Sequence, residues 1–200
     1  TLAAVTSGSY NIAVGNDVLR ENTTGGYNTA SGNRSLFSNT TGAQNTVSGY
    51  EALYSNTTGS YNTAAGYASL YLNTTANYNT AIGYEALYLN TTGTENTASG
   101  YRTLRSNTTG NYNTASGNRS LYSNTGSNNT ASGYQALQAN TTASNNTAFG
   151  YQASYTNATG TPNTAVGYQA LYANVASNNT AMGYQALRTN TTGELNSAFG

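Results

Sequence analysis

One short phrase governs this chain. A degenerate hexapeptide, Asn-Thr-Ala-x-Gly-Tyr, recurs twelve times in 200 residues. Its glycines are Gly15, Gly32, Gly49, Gly66, Gly83, Gly100, Gly117, Gly133, Gly150, Gly167, Gly183 and Gly200, spaced by 17 residues nine times and by 16 twice. A fixed period this short means one supersecondary unit stacked on copies of itself, a solenoid rather than a globule. Residues 1–200 therefore read as a single array of about twelve coils. A rod that repeats its surface in every layer suits a spacer, a fibre shaft or a repetitive binding face, and it offers no privileged layer for a catalytic pocket.

Numbered from its first residue, the unit reads Asn, Thr, Ala, variable, Gly, Tyr, variable, small, Leu, Tyr, variable, Asn, Thr, Thr, Gly, variable, Tyr in columns 1 to 17. Column 9 holds Leu2, Leu19, Leu36, Leu53, Leu70, Leu87, Leu104, Leu121, Leu137, Leu171 and Leu187, with Ser154 as its one break. Seventeen residues are too few for two packed helices, whose repeats run to 33 or more. Apolar residues do not recur at helical spacing. Thr and Tyr favour strands, and Gly and Asn-Thr-Thr-Gly favour turns. We expect an all-β parallel β-roll or β-solenoid in which each coil is two short strands joined by two turns. At ~4.8 Å per layer, twelve coils span roughly 55 Å.

The two short spacings locate a loop. One deletion falls within residues 123–127 and the other within residues 173–177, at the same place in the unit. Turns tolerate such changes and ladder strands do not.

The Asn columns call for stacked amides bonding coil to coil, or for turn residues that tolerate left-handed backbone. The Gly column, from Gly15 to Gly183, calls for positive φ or for close approach of another backbone. One two-stranded coil has a thin core, and ordering it costs roughly 1.5 kcal/mol per residue. The small Ala and Gly columns thus suggest a neighbouring chain and a homo-oligomer, most naturally a homotrimer.

Composition removes several classes of function. The chain has no Cys, His, Trp or Lys, and it carries six Arg against six acidic residues. Its charged content is 6%, against about 25% for ordinary domains. That balance points away from nucleic acid and from anionic membranes. Without His or Cys, the usual bases, thiol nucleophiles and soft-metal ligands are missing. No apolar run approaches the ~20 residues of a membrane span. Asp17, Glu21, Glu51, Glu85, Glu95 and Glu194 read as falling in different columns, and the Arg residues as scattered solubility groups. We therefore expect no catalytic residue, metal or cofactor. Nineteen Tyr, a single Pro (Pro162) and the Leu column argue against disorder. Residues 1–10 already fit the repeat, so the chain reads as a window on a longer array.

At Thr80-Ala81-Ile82-Gly83-Tyr84-Glu85-Ala86 and Thr164-Ala165-Val166-Gly167-Tyr168-Gln169-Ala170 the chain resembles the head repeats of trimeric autotransporter adhesins. Those read roughly Val-Ala-Ile-Gly-x-x-Ala in a 14-residue unit and form a trimeric left-handed parallel β-roll. The longer phrase is also similar to repeats of phage tail fibres. The resemblance implies an extracellular homotrimeric fibre, either a cell-surface filament or a virion fibre. Here Thr stands at the first apolar position of that phrase, and Ser31, Ser48, Ser99, Ser116 and Ser132 stand at the second, which implies a more polar core.

Tyr50, Tyr67, Tyr84, Tyr101, Tyr134, Tyr151, Tyr168 and Tyr184 form one aromatic column, and Tyr54, Tyr71, Tyr88, Tyr122, Tyr155 and Tyr172 another. They read first as ladders that stiffen the rod and, second, as a host-glycan contact surface. The adjacent Thr pairs, such as Thr23-Thr24 and Thr40-Thr41, raise ice binding, but a flat face needs Thr on alternate strand residues. The expectation is a structural or adhesive fibre segment that associates with itself, with a glycan-binding face and an ice-binding solenoid as alternatives.

Overall fold

The computed structural model describes residues 7–200, so Leu2 of the Leu column lies outside the described residues. It is an all-β solenoid. Twelve strands, from β1 (Ile12–Val14) to β12 (Ser197–Phe199), form one parallel sheet in strict chain order. Each pairs with the next at identical repeat positions, as Thr63↔Thr80, Ala64↔Ala81 and Ala65↔Ile82 do. Both deletions lie outside the strands, in the turn that follows column 12.

Each coil has one strand, not the expected two. The strand covers columns 2 to 4, with β10 (Asn163–Val166) and β11 (Asn179–Met182) one residue longer. The opposite flank is a chain of turns. Columns 7 and 9 sit there at left-handed φ, as in Glu51 (φ 51) with Leu53 (φ 52) and Glu85 (φ 50) with Leu87 (φ 51). Strand side chains alternate sides, whereas the neighbours Ala52 and Leu53 both point inward and are fully buried. Left-handed backbone at every second position turns two consecutive side chains into the core, which a strand cannot do.

These turns still bond coil to coil. The Leu36 amide donates to the Ala52 carbonyl of the coil after at 3.0 Å, and the Ala68 amide to the Tyr50 carbonyl of the coil before at 2.9 Å. Inter-coil ladders therefore run on every side of the rod.

The core is a column of Leu flanked by the Ala of the strand and the small residue of column 8. Leu187 packs against it only partly buried. Within the strands the Ala points inward, while Thr in column 2 and the column 4 residue point out. Thr and Ser at those positions thus lie on the surface and add nothing polar to the core.

Gly83 shows why column 5 is glycine. Its φ is +131, and a Cβ there would lie 2.7 Å from the carbonyl carbon of Gly100 in the next coil. Both sequence readings of the glycines hold, and the backbone that passes closely belongs to the same chain. The Ala of the strands is buried in its own coil. The Ala and Gly columns are thus intramolecular and give no argument for a neighbouring chain.

Candidate functional site: ladders of asparagine, charge and tyrosine

Twenty asparagines of columns 1 and 12 are buried in the solenoid. Asn56 is typical. Its Nδ2 donates to the Asn39 Oδ1 in the coil before at 2.7 Å and to the Gly59 carbonyl of its own turn at 2.9 Å. Asn45 Nδ2 reaches the same Gly59 carbonyl at 3.0 Å, and the Asn62 amide N–H donates to Asn45 Oδ1 at 2.9 Å. Two amides thus clamp one turn carbonyl and then hand their own oxygens to the next coil. Burial of an amide costs several kcal/mol unless it is bonded. Here only Gln138 Oε1 and Ser154 Oγ lack a partner among the described buried side-chain atoms. The asparagines act as a ladder; the left-handed positions are instead columns 7, 9 and 17.

Column 13 threonine continues the bracing, with Thr40 Oγ1 donating to the Thr57 carbonyl at 3.0 Å. Its partner Thr41 is exposed.

The charged residues are more ordered than the sequence reading held. Asp17, Glu51 and Glu85 share column 7 with Arg34, Arg102 and Arg119. Arg34 Nη1 lies 2.8 Å from Glu51 Oε1. Glu85 Oε2 receives Nε of Arg102 at 3.0 Å and of Arg105 at 2.7 Å. Burial alone would raise the Glu85 carboxyl, but the two guanidiniums outweigh it and hold it below its ordinary value. In later coils the same column becomes an amide ladder, with Gln152 donating to Gln135 and Gln169 to Gln152, both at 2.8 Å.

All nineteen tyrosines fall in three columns. In column 6, Tyr50, Tyr67, Tyr84 and Tyr101 stack with centroids 5.0–5.4 Å apart. Tyr134, Tyr151, Tyr168 and Tyr184 form a second run at 5.1–5.2 Å. Asn118 separates the two runs. In column 10, Phe37, Tyr54, Tyr71 and Tyr88 stack at 5.0–5.2 Å. Arginines of the same column close this stack, Arg20 over Phe37 at 5.4 Å and Arg105 over Tyr88 at 4.9 Å. A planar guanidinium replaces a ring there without interrupting the stack.

The third set, Tyr10, Tyr27, Tyr61, Tyr78 and Tyr112 in column 17, is 49–76% exposed, against about two-fifths for column 6 apart from Tyr184. Column 17 is visible in the sequence as the last position of the repeat, but only the fold shows that it is the most exposed of the three tyrosine columns. Because rings stack face to face along the axis, the ladders show solvent their edges and hydroxyls, and free faces only at ladder ends.

The outward face of the sheet carries the remaining pattern. Thr29 and Ser31, Thr46 and Ser48, Thr97 and Ser99, and Thr114 and Ser116 are exposed on alternate strand residues. Ile82, Phe149 and Met182 stand in the same column as the serines and are exposed too. Among the described residues no pocket opens and no group of His, Cys, Asp or Glu side chains is placed to hold a metal ion. No helix among them is long and apolar enough to cross a membrane. No protein-family model, curated protein or solved structure matches this chain.

Proposed function

We propose that the chain is a segment of an extracellular fibre, on a cell-surface filament or a virion, with a structural or adhesive role rather than a catalytic one. The observation that carries this reading is axial continuity. Strand, turn, asparagine, threonine and tyrosine columns each bond or stack from coil to coil, so load along the axis is shared by parallel ladders on every side. Self-association is part of the proposal, as a homotrimer or a side-by-side filament. The outward sheet face, with its low charge and scattered apolar residues, is the surface best suited to it. Light scattering and circular dichroism on the chain test this together. A β-rich trimer supports the fibre; a β-rich monomer at all concentrations removes self-association and leaves a self-sufficient rod.

A second reading is ice binding. The alternation that the Thr pairs lack is present in columns 2 and 4, where hydroxyls point outward on a regular parallel sheet. Thermal hysteresis lost in Thr46→Tyr and Thr114→Tyr variants favours it; none in the parent chain removes it. Host glycans are a third possible partner, approached through the tyrosine edges and hydroxyls.

A further inference from the structure

Several columns are interrupted together at one coil, residues 146–162, although the strand ladder, the column 6 tyrosines and the column 7 glutamines run through it. Ser154 is the one break in the Leu column; it is buried, and its hydroxyl has no partner. A missing Leu side chain removes apolar contacts, and an unpartnered buried hydroxyl adds a desolvation cost. The column 12 amide ladder runs unbroken from Asn22 to Asn140. It then stops at Asn157, whose side chain bonds only to Gly160 in its own turn. Asn146 does not clamp the Gly160 carbonyl and instead reaches Asn140 Oδ1 at 3.5 Å. Pro162 stands in column 17, where other residues donate an amide to the coil before, as Asn145 does to Ser127 at 3.1 Å. Proline has no N–H, and the Thr161 hydroxyl takes over the Ser144 carbonyl. Ala158 replaces the column 13 threonine and cannot make its hydroxyl rung.

The first deletion provides an internal contrast. At residues 113–128 the turn is one residue short, as it is in the coil at 163–178 that follows the interrupted one, yet Leu121 fills the core and Asn124 still bonds to Asn107 at 3.3 Å. A short turn alone therefore does not open the ladders.

We infer that the coil at residues 146–162 is a seam at which the rod yields, dividing it into two cooperative blocks. Solenoid stability is a sum of repeat and interface contributions, and this coil is weakened in its core and across both interfaces. Under load or denaturant the coils from 146 onward open while residues 28–130 stay folded.

Hydrogen exchange of the 200-residue chain in increasing denaturant tests this. The expected result is a block at 146–200 that opens first and together, at least tenfold less protected than 28–130. Ser154→Leu, which restores the column residue, should raise its protection at least tenfold. Pro162→Asn, which restores a donor, should do so by a smaller factor. Leu104→Ser should create a new boundary within residues 96–112. The proposal is overturned if the chain opens as one unit. It is equally overturned if protection falls off gradually towards residue 200 and neither restoring variant changes it.

Discussion

At the scale of single residues, the buried asparagines are the least expected feature of the core. They replace the apolar side chains that a 17-residue loop of backbone is too small to hold. Asn73 donates to Asn56 Oδ1 at 2.8 Å and to the Ala76 carbonyl at 3.2 Å. In Asn73→Asp both donors are lost and a carboxylate is buried against two oxygens. We expect a loss of more than about 3 kcal/mol at neutral pH in urea unfolding, or no folded protein. Gly83→Ala should be comparably damaging, because positive φ and the approach of Gly100 act together. Glu85 carries a pH prediction. Its folded pKa is lowered, so its contribution is complete above the ordinary carboxylate range and disappears as the pH falls through the folded value. Glu85→Gln should cost about 1 kcal/mol at pH 7, and the gap in thermal midpoint from wild type should close in acid.

The elements show what repetition reveals and what it hides. Position along the period was enough to find the turns, the Leu core and the asparagine ladders, because each is a column of one residue type. The second flank was misread because Thr and Tyr content cannot distinguish a strand from turns that alternate handedness. Its signal was present in the adjacent small and Leu columns, since consecutive inward side chains are incompatible with a strand. The charge column is hard to read because Asp17, Arg34, Glu51, Ala68, Glu85, Arg102 and Arg119 mix both signs with a neutral residue and hide a position that is constant in geometry. Tyr71 tests the ladder itself. Tyr71→Leu removes two ring contacts, worth about 0.5–1.5 kcal/mol each beyond the buried area, so thermal unfolding should report a loss of about 1–3 kcal/mol. In alkaline titration the Tyr67 and Tyr71 phenols ionise late. Burial is the main cause in both, with neighbouring phenols and Glu51 adding to it. Their raised values mean that the associated stability is present below the ordinary phenol range and is lost as the pH rises through the folded values. Phenolate absorbance should therefore rise together with loss of the β signal.

On the scale of the whole molecule, stability is distributed and not concentrated in a centre. Excision of one complete regular coil, residues 79–95, rejoins column 17 to column 1 and should leave a folded, shorter rod with a modest fall in midpoint. Excision of eight residues should split the transition in two, because the damaged coil pairs with neither neighbour while the coils on each side keep register among themselves. A circular dichroism melt of the two deletions distinguishes these outcomes.

The asparagine amides also give the rod a direction. In column 12 each Nδ2 from Asn39 to Asn140 points to the side-chain oxygen of the preceding layer, and in column 1 the backbone N–H does the same, as from Asn45 to Asn28 and from Asn62 to Asn45. Aligned bonds of this kind polarise one another. Each layer consequently turns amide oxygens towards its C-terminal side and amide donors towards the other. The two ends of the rod are therefore unlike, and two such rods can be continued head to tail but not head to head.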